Sequence, residues 1–379
     1  MDERLPDPSR DSGSLRTFNL MRLMRTMGHT VHFLPTKGRF EDPLAPQLHD
    51  IGVGLPHGMS ATHSASAPAW LRRHAGDYDA IIVSRYHLAW SWLPFLRSAF
   101  PRVLRILDTV DLHHLRESRE AAAKSSRLLA WAARGTRRRE LAATSHADVT
   151  WVVSDSEKRL LAKALPSARV RVVSNLHQLP ASVPGYEQRR DLVFVGGAQH
   201  PPNVDAVHWL LTDIFPRVRR LLPDCRLHLV GAGLREATAH LATVDGVHLH
   251  GHVPTLDSLL EGSLVGLAPL RFGAGVKGKV NQYMAHGIPT VGTPMATEGM
   301  GLTHGVDVMV AEDADQFAAA VVQLHADPRL WRQISEHGLK NVSRHFSAEA
   351  AAPEIVATLS GRRTGPAPPA DRPGNGTTR

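Results

Sequence analysis

Short apolar runs recur along the chain, each closed by a polar or glycine-bearing loop and separated from the next by a helical stretch. That alternation restricts the fold most, because strands that alternate with helices build a parallel sheet covered by helices. In the first half the runs are Thr30–Leu34, Ala80–Ser84, Val103–Leu107, Val149–Val153 and Val170–Val173. Helical patterns lie at Ser14–Met27, stopped by Gly28, at Ala89–Ala99 and over Arg116–Ser145, while residues 35–68 read as irregular. Ser154 or Asp155 is placed to cap the helix that follows the fourth run. Ligands of such sheets gather at the carboxyl ends of the strands. Arg85, Asp108, Asp111 and His113 hold those positions.

Ser174–Arg190 (SNLHQLPASVPGYEQRR) is polar, contains Pro180, Pro184 and Gly185, and reads as an interdomain linker. The pattern then restarts. Leu192–Val195 ends in Gly196-Gly197, a helix covers Asn203–Leu222, and Arg226–Val230 and Val247–His250 follow, the last running into Gly251-His252-Val253. The expected division is a first Rossmann-like domain over 1–178, a linker over 179–190 and a second domain over 191–346. A helical segment over 347–360 and a Pro/Gly/Thr-rich tail over 361–379, expected to be disordered, complete it.

The most informative stretch within this frame is Leu264–Gly301. An apolar run, Leu264–Leu270, leads into a loop with Gly273, Gly275 and Gly278 that also carries Arg271, Lys277 and Lys279. A short helix over Val280–His286 is stopped by Gly287 and Pro289 before a strand at Ile288–Val291. Glycines let a backbone approach a ligand closely, and a helix start presents unpaired N–H groups at the positive end of its dipole. Two lysines beside that end suit a phosphate group. The spacing is neither the GxxxxGK[ST] of a Walker loop nor GxGxxG. An ordinary surface loop with solubilising lysines is the competing reading.

Composition narrows the alternatives. The single cysteine, Cys225, excludes an internal disulfide and a multi-cysteine metal site, and fits a reducing compartment. No apolar run approaches the roughly 18 residues needed to cross a bilayer. The net charge of +8 comes without a nucleic-acid module signature and points to anionic small ligands and acidic lipid. The 23 histidines show no metal-ligand spacing. In Arg116–Ser145, basic residues stand beside Leu128, Leu129 and Trp131, a combination that can rest on an anionic membrane surface but more commonly marks a solvated helix with its apolar stripe in the core.

In their order, several motifs resemble the family 4 glycosyltransferases of GT-B fold. Phe194-Val-Gly-Gly with His200-Pro-Pro-Asn203, Gly251-His-Val-Pro254, Gly273-Ala-Gly-Val-Lys-Gly-Lys-Val280, Met284-Ala-His-Gly-Ile-Pro289 and Glu298-Gly299 are similar to the donor-binding half of that family. Leu5-Pro-Asp-Pro8, Asp11-Ser-Gly-Ser-Leu-Arg16, Asp108-Thr-Val-Asp-Leu-His113 and Trp151-Val-Val-Ser154 resemble a bacterial subgroup found in surface polysaccharide and related glycan assembly. The likeness covers nearly everything but the tail. It implies two doubly wound Rossmann-like domains facing across a cleft.

The resemblance also implies transfer of a sugar from a nucleotide-sugar donor to a glycan, lipid-linked or small-molecule acceptor. The expected mechanism retains the anomeric configuration and uses neither a catalytic metal nor a cofactor. The donor site implied comprises Gly13 under the phosphates, Gly197 after the first strand of the second domain, His252 and Val253 against the base, and Gly275, Lys277 and Lys279 at the diphosphate. Gln282 falls at the ribose and Glu298 near the sugar. His113, Asp111 and Lys277 are the candidate catalytic groups; capping or packing of a helix start is the alternative for His113. The family's two glutamates fall here on Ala274 and Gln282. An amide can still exchange hydrogen bonds with a ribose, whereas alanine cannot. A GT-B-fold nucleotide-sugar epimerase and a non-catalytic nucleotide-sugar-binding protein are the rival classes. A cytoplasmic location, peripheral at the inner face of the plasma membrane, is expected.

One expectation concerns the start of the chain. A doubly wound half needs a central strand before its first helix, yet only Met1 precedes the segment resembling the family's post-strand loop. The first strand of this domain is therefore expected to be missing, and the native protein to carry roughly 5–15 further residues ahead of Met1.

Overall fold

A computed structural model describes residues 1–37, 43–55, 66–238 and 244–361. In the first domain the order is α1 (Ser12–Thr26), α2 (Ala45–Asp50), α3 (Ser66–His74), β1 (Ala80–Ser84), α4 (Tyr86–Ala99) and β2 (Leu104–Asp108). There follow α5 (His113–Ala123), α6 (Arg127–His146), β3 (Val149–Val152), α7 (Asp155–Ala164) and β4 (Val170–Val172). The four strands are parallel in the order β1-β2-β3-β4, with Ile82 opposite Ile106 and Asp108 opposite Trp151. β2 is buried along its whole length. Helices cover both of its faces, so its two charged residues are paired, Arg105 with Asp148 and Asp108 with Arg16.

The second domain begins with β5 (Arg190–Val195), α8 (Pro201–Trp209), α9 (Phe215–Leu221), β6 (Leu227–Val230), α10 (Leu234–Ala237) and β7 (Val247–Gly251). It continues through α11 (Asp257–Gly262), β8 (Ser263–Ala268), α12 (Gly278–Ala285), β9 (Thr290–Gly292), α13 (Pro294–Thr297), β10 (Met309–Val310), α14 (Ala314–Ala326) and α15 (Pro328–His345). Its strands are parallel in the order β10-β9-β8-β5-β6-β7. The direction of winding reverses between β5 and β8. That is the switch point at which doubly wound sheets open a crevice.

The last helix, α16 (Ala348–Leu359), crosses back to the first domain. Ala351 and Ile355 join the core of Leu20, Met21, Ile106 and Trp151. The Trp151 indole N–H donates to Thr358 Oγ1 at 3.0 Å, and Arg171 pairs with Glu354 at 2.9 Å. The helical segment expected at 347–360 thus completes the first domain.

Several local expectations are corrected. The helix read over Arg116–Ser145 is two helices, because Ser125 turns back at φ 49° and the Ser126 hydroxyl caps α6 by accepting the Leu129 N–H. The expected helix Asn203–Leu222 is α8 and α9 joined by a π-helical turn, Leu210–Ile214. Part of 35–68 is helical, as α2 and the start of α3, while residues 38–42 and 56–65 lie outside the described residues. The expected disordered tail lies outside them too, from residue 362 on.

Thr30–Leu34 does not form a strand; this segment makes only isolated bridges, His32 with Gly54 and Pro35 with Asp2. The reason lies beside β1. Among the described residues, the backbone between β1 and His32–Pro35 is Met1–Asp2: the Met1 ammonium donates to Ile82 O, and the Ser84 N–H to Met1 O. The rest of that slot is a cavity of about 820 Å³ lined by Met21, Met24, Phe33, Ile81 and Leu104 among others.

Candidate active site

The carboxyl ends of β5 and β8 open into a cleft of about 580 Å³ whose opposite wall comes from the first domain. On the second-domain side it is lined by Gly196-Gly197 after β5, His252 and Val253 after β7, and the loop and helix start Phe272–Lys279 after β8. Facing them are Asp11, Ser12 and Gly13 at the head of α1, Arg85 after β1, and Asp111 and Arg116 around the head of α5.

Two lysines dominate the charge of this cleft. The buried Lys277 Nζ donates to Gly275 O at 2.6 Å. Lys279, partly buried, donates to Asn203 Oδ1 at 2.7 Å and stands 3.9 Å above the Phe194 ring. Among the described residues neither forms an ion pair with a carboxylate. Burial therefore pushes the Lys277 ammonium down to about 8, with Glu298 opposing the shift and Arg119 adding to it. Burial, with the neighbouring Lys277, pushes Lys279 down to about 7. Both stand at the start of α12, where helix N–H groups and the dipole add further positive potential. An anion of two phosphate groups matches this combination.

The facing wall is built around Asp111. Its carboxylate pairs with Arg116 at 2.6 Å and with His113 Nδ1 at 2.9 Å. Burial opposes its ionisation, but His113, Arg116 and Arg85 together hold it well below the usual carboxylate range. Conversely, burial works against the His113 charge and is outweighed by Asp111, so its imidazole titrates above its ordinary value. Two inner carboxylates fix this loop. Glu157 accepts the N–H of Leu112 and Val153, and Glu140 those of His113 and His114. Burial, reinforced by Asp111, raises Glu157 to about 7 against those backbone donors. The head of α5 is thus already satisfied by carboxylates of the chain itself.

Glycine is required where the two walls meet. A Cβ on Gly278 would stand 2.4 Å from Ser12 Cβ; one on Gly275, which adopts φ 67°, would stand 3.1 Å from Asp111 Cβ. These glycines therefore let the two domains meet. Arg119 of α5 spans the cleft mouth, giving both guanidinium nitrogens to Glu298 at 2.6 Å each and one to Gly273 O at 2.8 Å. Asn175 Nδ2 reaches Asn281 Oδ1 of α12 at 3.0 Å.

Residues 189–327, from the edge of β5 to the end of α14, match the family model described as "Glycosyl transferases group 1". That stretch is similar to group 1 glycosyltransferases, and the two parallel-sheet domains together have the GT-B fold. Over 95% of its length it resembles sucrose-phosphate synthase from Thermosynechococcus elongatus, covering 97% of that protein at TM-score 0.73 and 17% identity. The Anabaena protein HepE, solved with UDP and glucose, is similar over 95% of this chain and 98% of its own, at TM-score 0.69 and 14% identity. An uncharacterized 44.6 kDa protein in the cps region of Klebsiella pneumoniae is 22% identical over 167 residues, 42% of this chain and 43% of that protein.

On this glycosyltransferase fold the residues singled out by sequence sit as follows. Gly13, Gly197, His252, Val253, Gly275, Lys277, Lys279, Gln282 and Asp111 all line the one cleft. His113 and Glu298 do not. His113 lies behind Asp111 against the Tyr86 and His87 rings, and both Glu298 oxygens are taken by Arg119. Asp108, at the end of β2, is buried against Arg16 rather than open to the cleft. Arg116, Arg119, His177 and His200 escaped the sequence reading. Arg116 had a signal, since it stands one helical turn after His113 at a strand end. Among the described residues no group of three His, Cys, Asp or Glu side chains is placed to hold a metal ion, and no helix is long and apolar enough to cross a membrane.

Proposed function

We propose that this protein transfers a sugar from a nucleotide-sugar donor to a glycan or lipid-linked acceptor, with retention and without a catalytic metal, in the manner of family 4. The observation that carries the reading is the pair Lys277 and Lys279, two lysines without a carboxylate ion pair among the described residues, at a helix start in the switch-point crevice. As the glycosidic bond to the donor breaks, negative charge develops on the departing diphosphate, and fixed positive groups stabilise that change most when they are desolvated. Gly197 and Gly13 bring backbone close to the phosphates, while His252 and Val253 take the base. Asp111, oriented by His113 and Arg116, faces the sugar. The relatives solved with UDP support a uridine donor, and the cps-region relative supports a role in polysaccharide assembly.

A panel of UDP-, GDP- and TDP-sugars tests this. Release of free nucleotide from one of them, rising when a glycan acceptor is added, is the expected result. A 2-epimer would establish an epimerase. Binding without turnover would establish the non-catalytic reading, which Ala274 and Gln282 favour.

Gln282 allows a sharper test of the donor pose. Its amide lines the cleft and has no hydrogen-bond partner among the described residues. If it holds the ribose, Gln282→Leu should weaken nucleotide binding roughly five- to tenfold, the worth of one neutral hydrogen bond. Gln282→Glu, which keeps an acceptor, should bind like the wild type. Calorimetric affinities equal in all three forms would remove Gln282 from the ribose.

A further inference from the structure

The hairpin of α5 and α6 carries a surface that the donor site does not use. In α6 the buried stripe is Ala133, Thr136, Glu140, Ala143 and Thr144, all facing the domain. Leu128 and Trp131 are on the other side, 73% and 70% exposed, although they are among the most apolar residues of the helix. At helical spacing around them stand Arg127, Arg134 and Arg138, with Arg137 and Arg139 exposed alongside. Among the described residues no carboxylate pairs with any of these five arginines. The acidic groups nearby are engaged elsewhere or turned inward. Glu120 pairs with Lys124 at 2.6 Å, Glu117 is half-buried, and Glu140 holds the head of α5. An exposed aromatic and aliphatic pair within an uncompensated ring of arginines is costly in water and has a definite complement.

We infer that the α6 face of Arg127, Leu128, Trp131, Arg134 and Arg138 docks on an anionic lipid bilayer. Such a surface accepts both halves of the patch. Trp and Leu enter the headgroup–acyl boundary, where an indole is favoured, and arginines meet the negative headgroups. A nucleic-acid surface would match the arginines but not the exposed leucine between them. The place of the patch fits a lipid-borne partner. Glu140 clasps the head of α5 at the cleft, and Trp131 stands about 14 Å from it along α6, at 1.5 Å per residue. The hairpin is braced against the second domain by Arg119 and Glu298, so a bilayer at its tip would hold the cleft at a set height above the headgroups. The inference goes beyond the proposed chemistry and does not depend on the donor.

Co-sedimentation of the full chain with vesicles tests it without any nucleotide sugar. The protein should pellet with vesicles of phosphatidylcholine plus phosphatidylglycerol, stay in solution with phosphatidylcholine alone, and be released by salt. Leu128→Ser with Trp131→Ser should lower the bound fraction about tenfold or more. Arg134→Gln with Arg138→Gln should lower it about fivefold or more. All four side chains are solvent-exposed, so both double variants should melt like the wild type and release nucleotide at its rate in the absence of lipid. Wild-type protein remaining in solution with the anionic vesicles would overturn the inference. So would sedimentation of the Leu128/Trp131 variant at the wild-type level, or tight RNA binding without vesicle binding.

Discussion

Replacing Lys277 with alanine should cut nucleotide-sugar turnover by about ten- to a hundredfold, the range expected for losing one hydrogen bond to a charged group at roughly 1.5–3 kcal/mol. Lys279→Ala should be milder, because Lys279 is less buried and shares its site with Asn203 and the Phe194 ring. The substitution separates function from folding in an unusual direction. A buried ammonium held only by the neutral Gly275 carbonyl costs folding free energy, so Lys277→Met should melt no lower than the wild type while binding nucleotide poorly. The sign with pH follows. Lys277 titrates at about 8 in the fold against an ordinary 10.5, so the unfolded chain binds more protons between those values. Its contribution to stability therefore rises with pH across that window, and the advantage of Lys277→Met over wild type should shrink there. Wild-type nucleotide affinity and turnover in Lys277→Ala would remove the phosphate assignment.

The same depressed values make donor binding a proton-linked event. With Lys279 near 7 and Lys277 near 8, the unliganded cleft loses positive charge as pH rises through that range. A bound diphosphate favours the charged lysines. Nucleotide affinity should fall as pH rises past these values, and binding near the upper one should take up protons from buffer. Calorimetry in two buffers of different ionisation enthalpy measures that uptake. Lys277→Arg keeps the charge at every accessible pH and should flatten the dependence.

Much of this cleft was legible in the sequence because its parts are local. The apolar runs and the loops that close them mark strand ends. A doubly wound order then brings Gly197, His252 and the Gly273–Lys279 loop to one crevice whatever the details of packing. What periodicity cannot report is pairing at long range. The Arg119–Glu298 clasp joins residues 179 apart, and the Trp151–Thr358 bond that ties α16 to the first domain joins residues 207 apart. Glu140 and Glu157 were invisible for a related reason: a buried carboxylate on a helix looks like a solvated one until the backbone donors it serves are in place. The break at Ser125–Ser126 was a matter of competing local rules. Alanines and arginines on both sides favour continuing the helix, and the Ser126 cap with the turn at Ser125 decides against it.

The largest stability effect is expected at Arg16, which lies under the cleft rather than in it. Arg16 and Asp108 are each 1% exposed and pair at 2.7 Å. The guanidinium also donates to Val173 O at 2.7 Å and Ser174 O at 3.2 Å, so one side chain joins α1, the end of β2 and the end of β4. Removing one member of a buried pair strands the other charge and costs about 3–5 kcal/mol, a large share of a total near 5–15. Arg16→Met should therefore lower the urea midpoint sharply. Asp108→Asn should also be costly, because the cation left behind keeps only neutral acceptors. The double variant should recover much of the loss, since with both charges gone nothing ionic remains to be desolvated. The head of α1 and the strand ends beside it carry Gly13, Arg85 and Asp111, so Arg16→Met at a temperature where it stays folded should also loosen the cleft wall and weaken donor turnover. If the two single variants and the double unfold at the wild-type urea midpoint, the pair is not what holds the first-domain wall together.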